Sequence, residues 1–191
     1  VATWRCGRVF TGRDVRAQSG TAGGAGDIVL TTGPIPDAPE TPEAYRISVG
    51  ETLELRGADP AGAFYATRSA LQMLRGQTAI PGGTVTDWPR YRERSLMLDA
   101  GREFMPVELL RAQIRRMGQL KLNLLHLHFS DTSGFRLESV RHPEVTAAQH
   151  YSKQDIRDLI VYAARHQVEI VPEVDLPGHM NGILAAHPEL K

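Results

Sequence analysis

Leu122-Asn-Leu-Leu-His-Leu-His-Phe129 is an apolar run interrupted by two histidines and closed by Ser130-Asp131. Similar segments lie on either side of it. Arg94-Ser-Leu-Met-Leu-Asp99 leads into Gly101-Arg102, and Val168-Glu-Ile-Val-Pro-Glu-Val174 leads into Asp175-Leu-Pro-Gly-His179. Each is a short strand by length and composition, and helical patterns separate the three. Strand–helix–strand–helix–strand implies a parallel sheet and an α/β fold. Polar residues gather just past the C-terminal end of every strand, the edge where parallel α/β folds bind ligands. Arg102, Asp131 and His179 are therefore candidates for one site, although they lie far apart in the chain.

The helices between these strands carry their own start signals. Pro106 opens one, with Val107, Leu110, Ile114 and Met117 as its apolar seam. Ser152 is placed to cap the other, with Asp155 three residues on in a near capping box. Ile156, Leu159, Ile160 and Ala163 form its expected buried face. Both read as crossovers that bury an apolar stripe on the sheet.

Residues 1 to about 88 have a different texture. Ser19-Gly-Thr-Ala-Gly-Gly-Ala-Gly26 is glycine-rich, and Gly33-Pro-Ile-Pro-Asp-Ala-Pro39 cannot be regular structure because its prolines fix φ and remove donors. The glycine-rich stretch lacks the lysine and the spacing of a phosphate loop, so it reads as a plain loop. Ile28–Thr31, Tyr45–Val49 and Thr52–Leu55 are strand candidates, the last two joined through Gly50-Glu51 as a hairpin. Asp59 then caps a helix with Pro60 at its first position. Phe64, Thr67, Leu71 and Leu74, with Ala63 and Ala70 beside them, form the face expected to cover the small sheet. Trp88-Pro89 marks a plausible junction.

The composition excludes several classes. With 22 basic and 22 acidic residues there is no net charge to draw nucleic acid or an anionic membrane. No apolar run approaches the roughly 18–20 residues that span a bilayer. The lone Cys6 rules out an internal disulfide and a multi-cysteine metal site, and reads as structural or incidental. No charged, apolar signal segment opens the chain, and a processed secreted protein would look the same.

Several residue types at the strand ends carry chemistry. An arginine such as Arg102 offers a fork of donors to hydroxyls or a carboxylate; the plainer reading is a salt bridge to Glu103. His126 and His128, two apart on a strand, point to one face. At a barrel strand end such a pair can bind a metal, with Glu173 and Asp175 supplying oxygens, or it can fill a hydrogen-bonded polar layer. Asp131 lies in the turn-prone string Ser130-Asp-Thr-Ser-Gly134 and can be a turn residue bonding its own backbone. Two prolines and a glycine restrict the loop that carries His179, whose imidazole could donate to a carboxylate such as Asp131 or to a substrate oxygen.

Taken together, Leu96-Met-Leu-Asp-Ala-Gly-Arg-Glu-Phe104, Lys121-Leu-Asn-Leu-Leu-His-Leu-His-Phe-Ser-Asp131 and Pro172-Glu-Val-Asp-Leu-Pro-Gly-His179 resemble the first three barrel strands of glycoside hydrolase family 20, the β-N-acetylhexosaminidases. Tyr151-Ser-Lys-Gln-Asp-Ile-Arg157 and His187-Pro-Glu-Leu190 fit the same family, and Ala58-Asp-Pro-Ala-Gly-Ala-Phe-Tyr65 looks like the helix of its small α+β domain. The resemblance covers about residues 45 to 191. It implies a small α+β domain over 1–88, followed over 89–191 by the first three strands of an incomplete (β/α)8 TIM barrel. It further implies a retaining, substrate-assisted mechanism in which the sugar's own acetamido oxygen attacks the anomeric carbon. In that family the arginine after strand one holds sugar hydroxyls, which Arg102 matches. The aspartate and histidine after strands two and three relay toward the catalytic acid, which Asp131 and His179 match. The implied partner is a glycan or chitooligosaccharide ending in N-acetylhexosamine, with no cofactor and no metal, and secretion is compatible with the family.

The sequence also departs from the family pattern. Thr132 follows Asp131 where a second acid is usual, and Phe135 stands where a tryptophan often sits. The catalytic pair is an Asp-Glu dipeptide after strand four, and these 191 residues contain none. The chain is accordingly expected to be the N-terminal part of a hexosaminidase, inactive alone and able to self-associate through open barrel edges. Two other readings remain open: a metal-dependent TIM-barrel hydrolase using His126 and His128, and a non-catalytic sugar-binding fragment.

Overall fold

The structure is a computed structural model and describes residues 20, 23–75 and 80–191. Cys6, and Ser19, Thr21 and Ala22 of the glycine-rich stretch, lie outside the described residues. The chain forms two compact units that divide between Arg90 and Tyr91. No helix among the described residues is long and apolar enough to cross a membrane.

The first unit is a four-stranded sheet with one helix. Its elements are β1 (Ile28–Thr32), β2 (Tyr45–Val49), β3 (Leu53–Gly57), α1 (Pro60–Met73) and β4 (Gly83–Asp87). The sheet order is β1-β3-β2-β4. β2 and β3 form an antiparallel hairpin, β4 adds antiparallel to β2, and β1 runs parallel to β3. Asp59 starts α1 by accepting the Gly62 N–H at 2.7 Å, with Pro60 following it. The same carboxylate accepts the Glu43 N–H at 3.0 Å, which ties the helix start to the chain entering β2.

Tyr45, Ile47 and Leu55 of the sheet pack against Phe64, Tyr65, Ala66 and Ala70 of the helix. Each large side chain fully buried there contributes roughly 1.5–3 kcal/mol. The helix face is therefore shifted from the expected one: Thr67, Leu71 and Leu74 are only half-buried. The small side chains at 63, 66 and 70 let the helix lie close to the sheet, and that closeness decides which face turns inward. Tyr45 extends from this core to donate to Asp87 at the end of β4, and its hydroxyl also bonds Ser69.

The second unit is built on a three-stranded parallel sheet. It contains β5 (Ser95–Asp99), α2 (Val107–Gln119), β6 (Leu124–His128), β7 (Ser130–Asp131), β8 (Gly134–Leu137), β9 (Thr146–Tyr151), α3 (Lys153–Ala164), β10 (Glu169–Glu173) and α4 (Asn181–Ala186). The sheet order is β10-β6-β5, so β6 is central. Its register aligns Asp99, His128 and Glu173 in one row at the C-terminal end. Two residues back, on the same face, stand Met97, His126 and Val171.

The opposite face carries the core. Leu125 and Leu127 are fully buried with Leu110, Ile114 and Met117 of α2 and Leu159 and Ala163 of α3. α3 starts in a full capping box: Ser152 Oγ accepts the Asp155 N–H at 3.0 Å, and Asp155 Oδ2 accepts the Ser152 N–H at 2.9 Å. Ile160, expected in its buried face, is 50% exposed. It sits one residue, about 100°, round the helix from Leu159 and misses the sheet.

Between β6 and α3 the chain makes a small second sheet of order β7-β8-β9. Arg136 of β8 is buried, donating to the carbonyls of Ala100 and Gln149 at 3.0 Å each. Tyr151 at the end of β9 is fully buried against Phe104 and Phe129, and its hydroxyl donates to the Met105 carbonyl. Burial pushes that phenol up to about 12.

Candidate active site

The parallel register brings three chain-distant segments to one end of the sheet. β5 ends at Asp99, and Ala100 and Gly101 both donate N–H bonds to the His128 carbonyl at 3.0 Å. A Cβ on Gly101 would stand 2.8 Å from the Ser130 carbonyl carbon, so only glycine lets this turn lie so close to the Ser130-Asp131 backbone. That approach delivers Arg102 to Asp131. Past β10, the Asp175 N–H donates to Ser130 Oγ at 3.2 Å, and the loop then carries His179 back to Asp131.

Asp131 is the hub. Its side chain is 4% exposed. Oδ2 lies 2.8 Å from His179 Nδ1 and 3.1 Å from Arg102 Nε, with His128 Nε2 at 3.6 Å. Oδ1 accepts the Thr132 N–H at 2.5 Å. That backbone bond, then the Thr132 side chain, His179 and the Arg102 charge, outweigh desolvation and hold the carboxyl at about 2. Asp131 is thus ionised across the whole physiological range.

His179 has φ near +55°, a conformation unfavourable for a side chain with a Cβ. A non-glycine residue there costs on the order of 1–3 kcal/mol and persists where its surroundings hold it; here Asp131 does so. With Nδ1 on Asp131, Nε2 is the nitrogen left to exchange a proton, and Asp175 Oδ2 stands 3.9 Å from it. A carboxylate on one imidazole nitrogen fixes the tautomer and orientation of the ring.

Arg102 is more exposed, at 63% of its side chain, and it pairs with Asp99 (Nη1–Oδ2 3.1 Å) as well as Asp131. Its partners are these two carboxylates rather than Glu103. Asp99 also accepts the Arg102 N–H at 2.9 Å. Sequence reasoning passed over Asp99 and the Thr132 N–H. Asp99 had one available signal, its place as the last residue of its strand, level with His128 and Glu173.

Beneath this hub lies a second polar layer. Glu173 bridges the two strand histidines, with Oε1 2.8 Å from His128 Nδ1 and Oε2 against His126 Nε2. Burial opposes protonation of His128, but Glu173, Asp99 and Asp175 together raise its pKa. Asp175 beside Glu173 lowers the Glu173 pKa, and Glu173 raises that of Asp175. His128 with Asp131 and His179, or with Glu173 and Asp175, offers ligand atoms close enough for a metal ion. The same groups are hydrogen-bonded to one another, His128 to Glu173 and His179 to Asp131.

Comparison with known proteins bears on this arrangement. Residues 91–191 match the catalytic domain of glycosyl hydrolase family 20, and residues 6–88 match domain 2 of the same family. A beta-hexosaminidase of Akkermansia muciniphila is 33% identical over 77% of this chain and 34% of its own length. A beta-N-acetylhexosaminidase of Cellulomonas fimi is 32% identical over 95% of this chain and 39% of its own. The solved structure of a mutant Streptomyces plicatus beta-hexosaminidase in complex with its product GlcNAc superposes with a TM-score of 0.76. It is 32% identical, over 90% of this chain and 38% of that one. The chain thus spans about a third of the length of these relatives. It belongs to glycosyl hydrolase family 20.

Proposed function

We propose that this chain contributes the sugar-holding arginine and the proton relay of a retaining, substrate-assisted β-N-acetylhexosaminidase. Its substrates are glycans or chitooligosaccharides that end in N-acetylhexosamine. The parallel strands β5, β6 and β10 are read as the first three of a (β/α)8 barrel over residues 89–191, and residues 1–88 as the small α+β domain before it.

The observation that carries the reading is the convergence of His179 and Arg102 on one oxygen of the buried Asp131. In this reading Asp131 holds His179 with Nδ1 protonated and Nε2 toward the catalytic acid, so that the relay tunes that acid. His179 and Asp131 are positioning residues. Arg102 offers its remaining guanidinium hydrogens to sugar hydroxyls while Asp99 and Asp131 fix its orientation. The acetamido-orienting aspartate and the acid glutamate of the Asp-Glu pair are not among these 191 residues.

The test uses the protein that carries this chain and a chromogenic N-acetylglucosaminide. Asp131→Asn should lower kcat and move a limb of the pH–rate profile, with little change in KM. Arg102→Ala should raise KM and weaken a competitive sugar analogue. An Asp131→Asn protein with normal kcat and an unmoved profile would refute the relay.

A further inference from the structure

A second cluster of ligating side chains lies outside the hub and its polar layer and shares no residue with either. His142-Pro-Glu144 and His187-Pro-Glu189 repeat the same tripeptide 45 positions apart. Each folds as a 3-10 turn, over Pro143–Val145 and Pro188–Leu190, with proline at its first turn. In each turn the histidine's Nδ1 stands 2.9 Å from the glutamate two residues on. The two turns face each other. Glu144 Oε1 is 2.9 Å from His142 Nδ1 and 2.9 Å from His187 Nε2, and the imidazole rings are 5.6 Å apart, edge to face.

We propose that His142, His187 and Glu144 form a zinc site that clamps the end of α4 to the β8–β9 connection. One ligand atom from each residue lies within 4.8 Å of the other two. Zinc with bonds of about 2.0–2.1 Å needs ligand atoms about 3.4 Å apart, so the 2.9 Å contacts on Glu144 need open only slightly. The ion then takes the place of the two hydrogen-bonded protons on Glu144 Oε1. Two imidazoles and a carboxylate select zinc-like ions over magnesium or calcium, which prefer all-oxygen shells.

The outer shell is also in place. Glu189 Oε1 on His187 Nδ1 makes the carboxylate–histidine pair that orients a ligating Nε2. His142 and Glu144 are well exposed, which leaves a fourth position for water. Because α4 begins two residues after His179, the clamp would fasten the segment that follows the relay histidine.

Zn2+ alone, titrated calorimetrically into the metal-stripped chain, tests this, with far-UV circular dichroism in chelator confirming that each variant is folded. One equivalent should bind and raise the melting temperature. His142→Ala/His187→Ala should lose that binding, Glu189→Gln should weaken it about tenfold, and His179→Ala should leave it unchanged. Co2+ in place of zinc should give visible d–d absorption that the double variant lacks. No zinc binding by the wild type, equal binding by the folded double variant, or loss in His179→Ala instead would each overturn the site.

Discussion

Replacing Asp131 with asparagine keeps the side chain's size but removes the one charge on which Arg102 and His179 converge. Folding lowers this carboxyl from its ordinary 3.8 to about 2. A group whose folded pKa lies below its unfolded one stabilises the fold above the unfolded pKa, and loses that contribution as pH falls through the folded value. From 3.8 to about 2, the contribution is about 2 kcal/mol at pH 7 and still about 2 at pH 4. It is halved to about 1 kcal/mol at pH 3 and gone near pH 1. The amide oxygen of the introduced asparagine can still accept the Thr132 N–H, so the loss is that of the ion pairs and the ionic character of the other bonds. The figure of about 2 kcal/mol is therefore the upper limit of the loss, because the Thr132 N–H bond, the largest part of that contribution, survives the substitution in neutral form. Urea unfolding of both proteins at pH 7, 5, 4 and 3 measures the difference directly. It should hold steady from pH 7 to 4 and shrink by pH 3. A difference that is absent at pH 7, or that grows as the solution becomes acid, would refute the claim that Asp131 is a buried carboxylate held ionised by its neighbours.

Two further outcomes follow from the local geometry. Ser152→Ala removes one half of the α3 capping box and should destabilise the second unit by about 1 kcal/mol, read as a lower urea midpoint at unchanged slope. Gly57→Ala places a Cβ 2.0 Å from the Ala63 backbone nitrogen and 2.6 Å from the Asp59 carbonyl, where no flexible side chain can yield. It should cost about 3 kcal/mol or more, whereas Gly50→Ala, with open space around it, should cost far less, both read from urea midpoints.

Much of this was legible because a few elements carry strong local signals. β5, β6 and β10 are apolar runs bounded by polar residues, and their C-terminal ends are where the candidate residues stand. Ser152-Asp155 and Asp59-Pro60 announce helix starts through hydrogen bonds that the residue types themselves make. What escaped depends on contacts that no local window holds. β4, with exposed Gly83, Thr84 and Val85, is a strand only because β2 offers it an edge. β7 and β8 span only two and four residues, and the β8–β9 pairing shifts register between Phe135 and Leu137, so period-two patterning is lost there. The inward face of α1 depends on how closely alanines let the helix approach. The two His-Pro-Glu tripeptides are plain to read, but only the fold sets them face to face.

The convergence on Asp131 has a topological cause. The strands follow one another in the chain as β5, β6, β10, and stand in the sheet as β10-β6-β5 with β6 in the middle. A residue just past the C-terminal end of a central parallel strand has the loops of both neighbours beside it, since strands lie about 4.8 Å apart. Asp131 occupies that place, so one side receives Arg102 from the β5 loop and the other receives His179 from the β10 loop. Residues past an edge strand have only one such neighbour in this sheet. The same order explains the row beneath, where His128 of the central strand stands between Asp99 and Glu173. A carboxylate at the centre, flanked by a cation on one side and an imidazole on the other, stays charged and keeps the imidazole in one tautomer. That is the property a proton relay requires, and it comes from strand order together with one glycine, Gly101, that lets the first loop come close enough.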